Sequence, residues 1–106
     1  MLSYEQITDL LRQTGLPFAY HHFSEGESPD PPFLVYLIPG SHNFSADGMV
    51  YCRVDQLDIE LYTDKKQPEQ EANLEELFDE AGLFYNKTEQ FIRSEQLYEV
   101  LYEMEV

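Results

Sequence analysis

The residues best suited to chemistry are carboxylates. Asp55, Asp58 and Glu60 stand close together in the chain. In an extended segment Asp58 and Glu60 project from one face, where two carboxylates offer oxygen ligands for Mg²⁺. With Asp30 and Lys65 they make up the residue types of a metal-dependent nuclease. The spacing argues against that chemistry, because Tyr62, not a lysine, stands two positions after Glu60. The plainer reading is a solvated strand face.

Other chemistries find less support. His21 and His22 are adjacent, and in a strand their rings would point to opposite faces and not share a metal. His42 falls in a loop with nothing to set its distance to either. Cys52 is the only cysteine, so an internal disulfide and a multi-cysteine metal site are excluded. Its place inside a strand pattern suits a buried, inert thiol. The glycines are scattered where turns and helix ends need them, with no phosphate-cradling loop. No cofactor, metal or catalytic residue is expected, and the chain reads as a non-enzyme.

Charge narrows the partners. Twenty-one Asp and Glu face six Lys and Arg, a net charge of −15. Affinity for nucleic acid comes largely from cations that displace counterions at phosphates, so direct nucleic-acid binding is not expected. Anionic membranes are disfavoured on the same ground. The sequence carries no charged-then-apolar leader and no run long enough to span a bilayer, so a cytoplasmic location is expected. Such acidity serves solubility; it also suits a surface that imitates DNA or one past which DNA must slide.

These residues need a scaffold. At 106 residues the chain is one domain, residues 1–106. Ser3 and Gln6 have capping-box spacing ahead of Ile7, Leu10 and Leu11, which predicts a helix stopped by Gly15 and Pro17. Residues 18–23 read as a strand, 24–32 as an acidic, proline-rich loop, and 33–38 as a central strand covered on both faces and ended by Pro39 and Gly40. Residues 40–48 read as a loop carrying Phe44. Residues 49–62 read as one long strand whose apolar phase slips by one residue, the mark of a bulge. Pro68 opens a second helix, with Leu74, Leu77, Phe78 and Ala81 on its apolar side, Glu75, Glu76, Asp79 and Glu80 on its wet side, and Gly82 at its end. Residues 83–92 and 98–106 read as two more strands, the last alternating Tyr98, Val100, Tyr102, Met104 and Val106 with Glu99, Leu101, Glu103 and Glu105. The fold class is α+β, a mainly antiparallel sheet with two helices on one face, in the order α-β-β-β-α-β-β. Fifteen aromatics, eight Tyr and seven Phe, suit sheet packing or a subunit interface.

Several stretches carry a resemblance: Pro32-Phe33-Leu34-Val35-Tyr36, Phe44-Ser45-Ala46-Asp47, Ile59-Glu60-Leu61-Tyr62-Thr63-Asp64-Lys65-Lys66, the Pro-Glu helix that follows, and Phe91-Ile92-Arg93-Ser94-Glu95-Gln96-Leu97-Tyr98. Over roughly residues 18–103 the chain resembles the tail terminator, or tail completion, proteins of Gram-positive siphophages and prophages. The resemblance implies a mixed α/β sheet with flanking helices and a structural role in virion assembly. Subunits would form a hexameric ring that caps the tail tube protein and docks the head connector protein, first in the host cytoplasm and then in the virion. A ring needs two different patches per subunit. Phe44 with its neighbour Asp47, and Tyr62, are the candidate contacts. Arg53, Lys65, Lys66 and Arg93 are the cations that would offset repulsion between subunits. A neighbouring head-tail adaptor and an acidic DNA-mimic inhibitor are the alternatives.

Overall fold

A computed structural model describes residues 2–41, 43–46, 48–52 and 54–106, those at 44–46 and 50–52 by backbone alone. The elements run α1 (Tyr4–Arg12), β1 (Phe18–Tyr20), β2 (Phe33–Ser41), β3 (Phe44–Ala46), β4 (Met49–Cys52), β5 (Asp55–Thr63), α2 (Pro68–Glu80), β6 (Tyr85–Ile92) and β7 (Leu97–Glu105). Five strands form one sheet in the order β1-β2-β5-β7-β6, and β3 and β4 form a separate hairpin. Every pairing in the large sheet is antiparallel except β1 with β2. The fold is therefore α+β, with two helices and a mostly antiparallel sheet.

Local signals decide the helix ends. Ser3 Oγ accepts from the Gln6 backbone N–H while the Gln6 side chain accepts from the Ser3 N–H, a complete capping box. Pro68 occupies the first turn of α2, where its missing donor costs nothing. Past the end of α2, Gly82 takes φ +71°, a left-handed conformation that glycine adopts without strain.

Alternation along the strands builds the core. Leu57, Ile59 and Leu61 of β5, Val100, Tyr102 and Met104 of β7, and Leu34 and Tyr36 of β2 point to one side. Ile7, Leu10 and Leu11 of α1 and Leu74 and Phe78 of α2 pack onto that side. Phe78, Tyr85 and Tyr102 form a three-ring cluster with centroids 5.2–5.5 Å apart, inside the favourable range for tilted and edge-to-face pairs. β2 is covered on its other face too, where Phe23 meets Phe33 edge-on at 5.4 Å.

The structure corrects four sequence expectations. The 49–62 segment is not one bulged strand: β4 pairs with β3 in the hairpin, and β5 starts anew at Asp55 in the main sheet. The phase slip marked the point where the chain changes sheet. Residues 44–46, read as loop, form the hairpin's first strand. Pro39 and Gly40 do not end β2; the strand runs on to Ser41 across a register shift between Leu37 and Gly40, where a proline without a donor is tolerated. Finally, β1 stops at Tyr20, because His21 adopts φ +67°. That turn puts the His21 and His22 Nδ1 atoms 3.0 Å apart instead of on opposite faces. His42 lies outside the described residues, as does the side chain of Cys52. Among the described residues no helix is long and apolar enough to cross a membrane.

Phe78 is fully buried at the meeting of α2 with β6 and β7. Phe78→Ala should cost about 3–5 kcal/mol, the usual range for deleting a core ring. Urea unfolding should show a lower midpoint with an unchanged m-value.

Candidate functional site

Two carboxylate groups occupy opposite faces of the sheet, and they differ in how their charge is met. The first lies on the helix side, between α2 and β6. Glu71 is 5% exposed and accepts from Lys66 at 2.6 Å and from Lys87 at 2.8 Å. Lys87 also meets Glu75 at 2.8 Å, Lys66 reaches Glu89, and the Tyr85 and Tyr102 hydroxyls donate to Glu75. Burial works to raise the Glu71 and Glu75 carboxyls, but the lysine contacts outweigh it and hold both below the usual range. The sequence assigned Glu75 to the wet side of the helix; its side chain is partly buried in this network instead. The cause is the arrival of Lys87 from a strand twelve residues away, which periodicity along the helix cannot register.

The second group lies on the helix-free face. β5 and β7 pair without irregularity from Gln56 opposite Glu105 to Thr63 opposite Tyr98. That register sets Asp58 beside Glu103 and Tyr62 beside Glu99. Neither strand contains a lysine or arginine, and the one cation of β6, Lys87, faces the helix side. This face is therefore a strip of acid with no cation from its own strands.

At its upper end the charge is concentrated. Tyr62 stacks on Phe33, centroids 5.2 Å apart and planes 22° from parallel. Its hydroxyl has one proton to give and two carboxylate neighbours, Glu99 Oε2 at 2.7 Å and Glu60 Oε2 at 3.2 Å. Gln90 Nε2 donates to Glu99 Oε1 at 2.9 Å, so Glu99 has a donor at each oxygen. Glu60 is less well served. Its burial, then the charge of Glu99 and a hydrogen bond shared with Glu99, push it up to about 7, against a weaker opposite pull from Tyr62. Burial and the two carboxylates hold the Tyr62 phenol above its usual range, so it stays a neutral donor. Gln56 Nε2 donates to Asp58 Oδ1 at 3.1 Å further along the same face. An open groove of about 450 Å³ lies at the far end, between Phe84, Asn86, Glu103 and Glu105.

The expected contact residues scatter. Tyr62 sits at the upper end of the acidic strip. Lys66 is on the opposite side, committed to Glu71 and Glu89. Lys65 and Arg93 are exposed in turns and form no ion pair among the described residues. Asp47 and Arg53 lie outside the described residues, as does the side chain of Phe44. Sequence reasoning placed Asp58 and Glu60 on one face but missed Glu99, Gln90 and Phe33 as their companions. The alternation of residues 98–106 did give an acidic face; what it lacked was the knowledge that β7 lies next to β5 across an intervening helix. Among the described residues, no three His, Cys, Asp or Glu side chains are close enough to hold a metal ion. No protein-family model matches the chain, and no curated protein matches it.

The two groups give stability opposite pH slopes. Between 4.5 and about 7 the folded chain keeps the Glu60 proton that the unfolded chain has lost, so this contribution is full below 4.5 and is lost as pH rises toward 7. Glu71 and Glu75 are depressed, so their contribution is present above 4.5 and is lost as pH falls below it. Glu60→Gln should be more stable than wild type near pH 8, by on the order of 1 kcal/mol once solvent screening of a half-exposed group is allowed for. The gap should close as the pH is lowered toward 4.5. Urea unfolding across that range tests this; a gap that does not change with pH would disprove the assignment.

Proposed function

We propose that the chain is a non-enzymatic subunit of a phage or prophage virion, a tail terminator that assembles as a ring on the tail tube and joins it to the head connector. The observation that carries the reading is the helix-free sheet face, where Asp58, Glu60, Glu99 and Glu103 lie on strands that hold no cation. A component on the path of packaged DNA must let phosphates pass without holding them. An acidic surface does so by repulsion, here mainly from Asp58 and Glu103, since Glu99 is buried and Glu60 is raised to about 7, and it offers no cation to displace counterions from the backbone. The resemblance of residues 18–103 to tail terminators supports the same role.

The acidic face also favours a second reading, an inhibitor that imitates DNA. The two part on competition: a mimic displaces duplex DNA from a DNA-binding enzyme, and a ring subunit does not.

Deleting the gene from its source genome, inducing the virus and imaging the lysate tests the proposal. Filled heads beside separate, overlong tails are expected. Separate heads with tails of normal length would move the assignment to a head-tail adaptor, and intact infectious virions would refute an assembly role. Ring formation should tighten as salt is raised, because like-charged subunits repel less when screened.

A further inference from the structure

β6 ends the main sheet. β7 pairs with one side of it and, among the described residues, no strand covers the other. Its eight residues pair with β7 without a register break, and Asn86 to Phe91 are exposed. Natural sheets blunt such edges with prolines, bulges, short strands or charged side chains of one sign, and of these β6 has only the opposite charges Lys87 and Glu89. The opposite edge follows that rule, since β1 has three residues and ends in the turn at His21. β6 does not. It is also locally neutral, with one lysine and one glutamate, in a chain of charge −15.

The sequence of this edge is self-complementary about Thr88. We propose that β6 pairs antiparallel with β6 of a second copy of this chain, about a two-fold axis through Thr88 and perpendicular to the sheet. The axis places Thr88 opposite its own copy, Lys87 opposite Glu89, Asn86 opposite Gln90, and Tyr85 opposite Phe91, each pair occurring twice. These are favourable cross-strand types: hydroxyl with hydroxyl, opposite charges, amide with amide, ring with ring. One step beyond the strand, Phe84, 81% exposed, comes opposite Ile92.

The register is selective. A perpendicular two-fold keeps each side chain on its own face, so only residues of equal parity can be opposed. The nearest alternatives are centred on Lys87 or on Glu89, and each sets two like charges against one another at the axis, which is unfavourable. In the Thr88 register Lys87 and Glu89 lie on the helix side, where they already meet Glu71, Glu75 and Lys66. The ion networks of the two copies thus join across the axis. Both sets of helices share one face of a continuous sheet, and both acidic strips share the other.

The inference is independent of the ring reading, because a two-fold pair forms in the purified protein whether or not a virion exists. The test is site-specific cross-linking of the full chain in a Cys52→Ser background, with a short bis-maleimide. Thr88→Cys should link to itself at least about tenfold faster than the exposed turn variant Asp64→Cys, because pairing raises the local thiol concentration. Asn86→Cys alone and Gln90→Cys alone should stay unlinked, and a mixture of the two should link. Wild-type protein should sediment as a dimer whose association strengthens with salt. Wild-type protein that sediments as a monomer at all salts and at concentrations up to roughly 100 μM overturns the proposal, since a contact weaker than that has too little free energy to be a specific pair. So does linking by Asn86→Cys alone at the Thr88→Cys rate, which would mean another register or random collision.

Discussion

β5 lies between β2 and β7, and the rest of the molecule depends on the register it keeps with them. Its odd positions, Leu57, Ile59 and Leu61, are buried, while Asp58 and Glu60 between them turn to the other face. A slip of one residue against β7 would exchange the two sets. Carboxylates would then sit beneath the helices, where an unpaired charge costs far more than an exposed leucine gains. The apolar floor for α1 and α2 and the acidic strip on the other side are therefore two results of one constraint.

The shortage of cations shapes everything that this constraint leaves open. Arg12 is spent locally on Asp9, three residues earlier. Lys66 and Lys87 hold Glu71, Glu75 and Glu89 and so tie α2 to β6. The helix-free face is left to manage its charge by other means, and at Glu60 and Glu99 it does so with a phenol, an amide and the raised pKa of Glu60. The carboxylates left exposed on the helix-free face repel polyanions. β6, by contrast, carries one lysine and one glutamate and is neutral.

Legibility tracked the range of the interaction. The capping box at Ser3, Pro68 at the start of α2 and Gly82 after its end are contacts within a few residues, and each was readable because the partners are neighbours in the chain. Alternation along β5 and β7 was readable for the same reason, since the pleat imposes a period of two whatever the fold. The turn at His21 was not, because nothing in Tyr20-His21-His22 marks a left-handed residue; its backbone is held where His21 N–H bonds to the Tyr36 carbonyl. The break of residues 49–62 into two strands was half legible. The phase slip showed, but a bulge and a change of sheet leave the same trace in a pattern.

The sequence by itself determined the α+β class, the two helices, the buried face of β5 and of β7 and the acid on the other. All of these follow from local geometry and from the cost of burying charge. Tertiary structure alone decided which carboxylates meet. Glu60 found Glu99 because β7 lies beside β5, and Glu75 found Lys87 because β6 passes under α2. Strand order in a sheet is settled by how whole faces pack, so the same Glu becomes a paired anchor on one side and a half-protonated neighbour of Tyr62 on the other.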